Sequence, residues 1–380
     1  MMGVLKLPYA FVLVLCCAQM SESSLYDPHL IPEEGPFFEG WYLRITDVNK
    51  GDSIGLLFGN VLPDSQATLT GPLVFASILR RECTSYGTCR LVSVNGKFNT
   101  SDLSITVKGQ DVSVDPDMTS PSNFRWQVND GDHGGYLDQK GNDTSAVFKL
   151  EDIVLSLKIN KPYAWNKQGT GPEGYLAHLP LPLHWFVFSL RSNLVEYELQ
   201  NLTSGAVTRG SNGLVHMEKN WGKSFPKKWI WSEGVLSDGT NASFALSGGQ
   251  VDFSVVSMDA YLIGYRNPSI DLDLSFNPTD SVVSANVSGC SGSVQLTINS
   301  LRYRVQINLT GRNETYSSCL YGPEVGGFRR SCVESYDATA YIEVSKRQLF
   351  GYTTLDKQTF QGAALEFGGT NVCGNACSGI

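Results

Sequence analysis

The feature that most restricts this chain is a period of two. In Arg302-Tyr-Arg-Val-Gln-Ile-Asn-Leu309 every second residue is apolar, and the same alternation runs through Asp102-Leu-Ser-Ile-Thr-Val-Lys108 and Asp271-Leu-Asp-Leu-Ser-Phe276. Side chains alternate between the two faces of an extended strand, so such runs read as half-buried antiparallel strands. Further runs lie at 41–46, 53–59, 146–159, 184–190, 194–199, 251–256, 293–299 and 338–344, and no window sustains a helical period. Turn clusters such as Asn129-Asp-Gly-Asp132, Ser211-Asn-Gly213 and Ser237-Asp-Gly-Thr240 separate them at spacings typical of sandwiches and barrels. The expected fold is all-β.

At 380 residues, with 42% hydrophobic and only 17% charged residues, the chain can bury a core in one large or two ordinary domains. The Gly- and Pro-rich stretch from Tyr163 to Pro182 reads as a long ordered loop between two β-rich halves. The expected units are residues 34–182 and 183–370, followed by a tail at 371–380. A net charge of -8 with no dense run of Lys or Arg argues against nucleic acid as a partner and disfavours anionic membrane surfaces.

Residues 1–18 have the layout of a secretory signal peptide: Lys6 precedes an apolar run too short to span a bilayer, and small residues end at Ala18. No later segment is long and apolar enough for a membrane span, so the expected product is a secreted protein or one of the secretory-pathway lumen. Cleavage removes Cys16 and Cys17 and leaves seven cysteines in an oxidising compartment. Cys83 and Cys89 flank a turn containing Gly87 and are expected to form a disulfide. The odd number leaves one thiol free or paired between chains. Asn99, Asn142, Asn201, Asn241, Asn286, Asn308 and Asn313 open N-glycosylation sequons.

Several chemistries are unsupported. Gly169-Thr-Gly-Pro-Glu-Gly174 has the spacing of a dinucleotide-binding loop, but Pro172 and the prolines after it bar the helix that would hold a pyrophosphate, so it reads as loop. The five histidines show no paired metal spacing. Neither a metal nor a cofactor is expected.

What stands out is acid set among aromatics. Phe37-Phe-Glu-Gly-Trp-Tyr42 places Glu39 beside Phe38, Trp41 and Tyr42. In Met217-Glu-Lys-Asn-Trp-Gly222, followed by Phe225-Pro-Lys-Lys-Trp-Ile-Trp231, the residues Glu218, Lys219 and Asn220 precede a Trp-rich run. Ala363-Ala-Leu-Glu-Phe-Gly-Gly369 sets Glu366 among apolar residues. Apolar surroundings favour the neutral form of a carboxyl, which suits a general acid, and aromatic faces suit a developing carbocation. The bland alternative is that the rings fill the core while the carboxylates pair with Lys or Arg. His184, which shares a strand face with Phe186 and Phe188, reads by the same token as a core histidine.

Together with Pro182-Leu-His-Trp185, these segments resemble the tocopherol cyclase family in order and rough spacing from residue 34 to about residue 370. The resemblance implies two tandem lipocalin-like antiparallel β-barrels or sandwiches. It also implies an isomerase of the vitamin E type, closing a prenylated benzoquinol to a chromanol. A general acid protonates the prenyl double bond and the phenol oxygen captures the tertiary cation. On this reading Glu39, Glu218 and Glu366 are the candidate acids, while His184, Lys219 or Asn220 orient the phenol. Phe38, Trp41, Tyr42, Trp221, Trp229 and Trp231 supply the apolar pocket for the prenyl quinol. The alternative is a secreted lipocalin-like carrier of an apolar isoprenoid or lipid, which needs no poised acid.

Overall fold

The structure, a computed structural model, describes residues 26–29, 31–49, 51–84, 87–107, 110–111, 123–253, 256–374 and 377. The expected signal peptide, with Cys16 and Cys17, lies outside these residues.

The alternating runs form two large antiparallel sheets, of thirteen and ten strands among the described residues. Three readings of the runs change in detail, the 251–256 run being the end of the strand Ser243–Phe253 and the start of its partner Val256–Asn267. The 146–159 run is a hairpin, Asp143–Leu150 and Ile153–Asn160, turning at Glu151 with φ +51°. The runs at 184–190 and 194–199 are one strand, Leu183–Asn201, whose register shifts along its length. Such irregularities let a long strand bend round a core.

Both sheets share one plan. In the first, the meander of residues 37–98 and that of residues 103–160 are joined at the centre by the strands Leu183–Asn201 and Gly213–Gly222, the latter pairing with Phe37–Asp47. In the second, the closing strands Gly327–Arg347 and Tyr352–Gly369 hold the same central place, and Tyr352–Gly369 pairs with Lys228–Val235. The sheets change over between Gly222 and Lys228. The strands of residues 183–222, assigned to the second half on sequence, therefore pair within the first sheet.

Each sheet folds round its own core. Trp41, Leu43, Ile45, Phe58, Trp126, Phe148 and Met217 belong to the first, and Ile230, Phe244, Ile307, Phe360 and Phe367 to the second. A third cluster lies between the sheets and includes Leu79, Trp185, Trp229, Trp231, Cys332 and Tyr336. Period two sorts the central strands: Trp41, Leu43 and Ile45 of Phe37–Asp47 point into the first core, while Tyr42 packs in the cluster between the sheets. This inter-sheet layer holds the site.

Disulfides join Cys83 to Cys89, Cys290 to Cys373 and Cys319 to Cys377. Cys332 is the free thiol among the described cysteines and is buried. Three disulfides in one chain indicate folding in an oxidising environment. Among the described residues no helix is long and apolar enough to cross a membrane.

Candidate functional site

A cavity of about 440 Å³ opens between the sheets, lined by Phe38, Tyr42, Trp185, Phe225, Trp229 and Trp231 among other apolar groups, and by Asn220, Glu39, Glu173, Glu218, Glu334 and Glu366. Its size and mixture of apolar wall with few polar groups are those of a small-molecule site.

Glu366 owes its setting to the strand pairing. Across the register Trp231 lies opposite Glu366 and Trp229 opposite Gly368, while on the other side Glu334 lies opposite Glu366. Trp229 Nε1 donates to Glu366 Oε1. The indole can lie there because position 368 is glycine: a β-carbon would sit 1.8 Å from Trp229 Cε2. The Glu-Phe-Gly-Gly motif thus carries the acid and the space for its indole partner. Burial pushes the Glu366 carboxyl up to about 7, against the Trp229 hydrogen bond, with the nearby Glu218 charge adding to the rise. Glu334 is raised well above the carboxylate range, first by burial and then by the charge of Glu366, with Tyr42 and Arg44 opposing. Two carboxyls facing each other in an apolar layer cannot both ionise cheaply, so at least one stays protonated near neutral pH.

Glu218 has a different environment. Its Oε2 lies 2.8 Å from His216 Nε2 and accepts from Trp231 Nε1 at 2.9 Å. Burial lowers the His216 imidazole, but the hydrogen bond to Glu218 and the charges of Glu233 and Glu218 outweigh it and raise its pKa.

Period two carries the rest of the aromatic motifs into the first sheet. Glu39 borders the cavity, yet its carboxylate lies 2.8 Å from Lys219 Nζ and 2.9 Å from His29 Nδ1, with both Glu39 and Lys219 side chains fully buried. Burial works against the Glu39 charge, but the Lys219 ammonium and His29 prevail and hold the carboxyl below its usual range. Glu39 is therefore the counter-ion of a buried lysine. Lys219 lies over the rings of Trp221 and Trp41, at 4.7 and 5.4 Å from their centroids. Trp41 stacks on Phe58 in the first core, and Trp221 stacks with both His29 and His184. None of Trp41, Trp221, Lys219 or His184 lines the cavity; Phe38, Tyr42, Asn220, Trp229 and Trp231 do. His184 is held by Glu173, whose Oε2 lies 2.8 Å from His184 Nδ1 and whose Oε1 accepts from the Trp185 backbone N–H. Glu173 belongs to the 163–182 loop, where Gly169, Gly171 and Gly174 all have positive φ.

Glu334 and Tyr336 escaped the sequence reading. The available signal was Cys332-Val-Glu-Ser-Tyr336, where Cys, Glu and Tyr alternate at strand spacing, a polar pair hidden on an otherwise buried face. Among the described residues no group of three or more His, Cys, Asp or Glu is arranged to hold a metal ion.

Among solved structures, a candidate AttH from Nitrosomonas europaea aligns at 12% identity with a TM-score of 0.46, covering 90% of this chain and 99% of that one. Kievitone hydratase from Nectria haematococca aligns at 11% identity with a TM-score of 0.47, covering 92% of this chain and 96% of that one. The sequence itself matches a family described as tocopherol cyclase-like over residues 35–369, a span that takes in both sheets and every residue of the cavity wall named above. By that match the chain belongs to the tocopherol cyclase-like family.

Proposed function

We propose that the protein is an intramolecular cyclase that closes a prenylated benzoquinol to a chromanol, with Glu366 as the proton donor. The observation that carries this reading is a half-buried carboxyl, raised to about 7, on the wall of an aromatic cavity. The Glu366 O–H bond breaks as its proton forms a C–H bond with the less substituted carbon of the ring-proximal double bond. A tertiary cation results at the other carbon. The faces of Trp229 and Trp231 shield it, and the apolar wall keeps out water, which would capture the same cation. The phenol oxygen then forms the C–O bond, and its proton returns to the carboxylate pair. Substrate and product are isomers, so the cycle is redox-neutral and uses no cofactor. Asn220 takes the role of hydrogen-bonding the phenol in this reading, which its position on the same wall supports.

The localisation reading belongs to the same proposal: an export signal over residues 1–18, secretion, and glycosylation at the seven sequons. The three disulfides support it, and so does exposure: Asn99, Asn142, Asn241, Asn286, Asn308 and Asn313 are exposed, with Asn201 half-buried.

The test is incubation of the purified mature protein with a prenylated benzoquinol under reducing, anaerobic conditions, followed by chromatography and mass measurement. The expected product is a chromanol of unchanged mass that fails to appear with Glu366→Gln. Tight, saturable binding of the quinol without turnover would replace the cyclase by the carrier.

A further inference from the structure

A second opening lies farther along the strand Phe37–Asp47. It is a cleft of about 630 Å³ whose lining includes Arg44, Asp52, Arg81, Arg312, Tyr336 and Asp337. It contrasts with the apolar cavity, and only a thin wall separates the two: Tyr42 and Glu334 line the cavity, while Tyr336 lines the cleft. A hydrogen-bonded chain crosses that wall. Tyr42 donates its hydroxyl to Glu334 Oε1 at 2.9 Å, and its oxygen lies 2.8 Å from the Tyr336 hydroxyl. Because Tyr42 spends its proton on Glu334, it accepts from Tyr336, so every bond in the chain points from cleft to cavity.

The chain is held by specific packing. Gly55 leaves room for the Tyr336 hydroxyl, since a β-carbon there would sit 2.1 Å from it. The Arg44 guanidinium lies 4.6 Å from the centre of the Tyr336 ring, and its own charge is met by Glu233, Ser53 and the Gly362 carbonyl. Burial and the Glu334 charge raise both tyrosines well above their ordinary range against the opposing Arg44 charge, so each hydroxyl keeps its proton between passages.

We propose that Tyr336, Tyr42 and Glu334 form a proton relay that keeps the Glu334–Glu366 pair supplied from the polar cleft without admitting water to the apolar cavity. In one passage an acid in the cleft, hydronium or buffer, gives a proton to Tyr336 oxygen. When Glu334 is the ionised member of the pair, the Tyr336 proton moves to Tyr42 oxygen and the Tyr42 proton to Glu334 Oε1, so each tyrosine ends neutral and the Glu334 carboxylate becomes a carboxyl. Reversal returns the proton. Tyr336 and Tyr42 act through Glu334 and are positioning residues. The inference rests on the cyclase reading for its purpose, because a dry cavity that must stay acidic needs a path for protons that is not a path for water.

The test reads the relay without substrate. In infrared spectra of the full mature chain, a protonated carboxyl gives a C=O stretch that moves to lower wavenumber when H₂O is exchanged for D₂O. Loss of the band in Glu334→Gln or Glu366→Gln assigns it to the pair. Tyr336→Phe, which keeps the ring and removes the hydroxyl, is expected to slow that shift about a hundredfold, the low end of what a positioned proton-transfer group contributes. Tyr42→Phe cuts the chain at its other link and serves if Tyr336→Phe does not fold. Equal exchange rates in wild type and either folded variant overturn the relay, as does the absence of any band assigned to the pair below pH 7. A Tyr336-dependent exchange in a protein that cyclises nothing retires the cyclase reading and leaves the relay standing. If cyclisation occurs, a jump from a pH above the Glu366 titration to one below it should start the wild type at once and Tyr336→Phe after a lag.

Discussion

Glu334 and Glu366 stand directly opposite each other on the two closing strands of the second sheet, with Glu366 also opposite Trp231 on its other side. Like charges at such positions repel, and burial sharpens the repulsion. That pairing makes one of the two a carboxylic acid near neutral pH.

Cyclisation should therefore follow the protonated form of Glu366. The rate is expected to be high below pH 7 and to fall as pH rises through about 7, where the carboxyl titrates. Glu366→Gln should reduce turnover by about 10²–10⁴-fold, the range for a general acid. A pH–rate profile checks the first statement and single-turnover assays the second.

The same titration has a stability consequence. The folded Glu366 carboxyl titrates near 7 and the unfolded one near its ordinary 4.5, so between those values the folded chain binds more protons. The stabilisation is full below about pH 4.5 and is lost as pH rises to about 7. Glu366→Gln should flatten the fall in Tm across that window. A variant Tm falling as steeply as that of wild type would count against the raised pKa.

Glu39 should behave as a structural residue. Glu39→Gln leaves the fully buried Lys219 ammonium without its counter-ion, and breaking a buried pair in this way costs about 3–5 kcal/mol. Its Tm should drop steeply, whereas Glu366→Gln should hold or raise Tm at neutral pH. An unchanged Tm in Glu39→Gln, with cyclisation abolished, would reverse the roles assigned to these two glutamates.

Arg44 and Glu233 form a buried ion pair that ties the first sheet to the second, with Arg44 also donating to the Gly362 carbonyl. Arg44→Met alone should cost about 3–5 kcal/mol because Glu233 is left buried and charged, while Arg44→Met with Glu233→Leu should recover much of that loss. Denaturant midpoints for the cycle give the coupling directly.

The disulfides should rank by the loops they close. Cys290–Cys373 spans 83 residues and Cys83–Cys89 spans 6. On chain entropy their removal by paired Cys→Ser changes should cost about 4.5 and about 2 kcal/mol. Urea unfolding of the two double variants orders them.

Much of this was legible without coordinates. Alternation in Arg302–Leu309 and Asp271–Phe276 needs only the geometry of an extended chain, and the structure places strands at Tyr303–Thr310 and Leu272–Phe276. The Glu366 motif was legible because a carboxyl between apolar residues, beside glycines, is costly unless it is used. The placing of the strands of residues 183–222 was not legible, since a local turn signal cannot say which distant strand completes a sheet.

The sequence by itself determined the strands, the family and the aromatic company of three glutamates. Only the tertiary structure decided their states. Period two sends Glu39 and Glu218 to opposite faces of one sheet, where Glu39 meets Lys219 and ionises. Long-range pairing brings Glu334 against Glu366, where the Arg44 charge opposes burial and mutual repulsion without outweighing them. Protonation depends on which groups lie within a few ångströms through space, and those neighbours stand dozens to hundreds of residues apart along the chain.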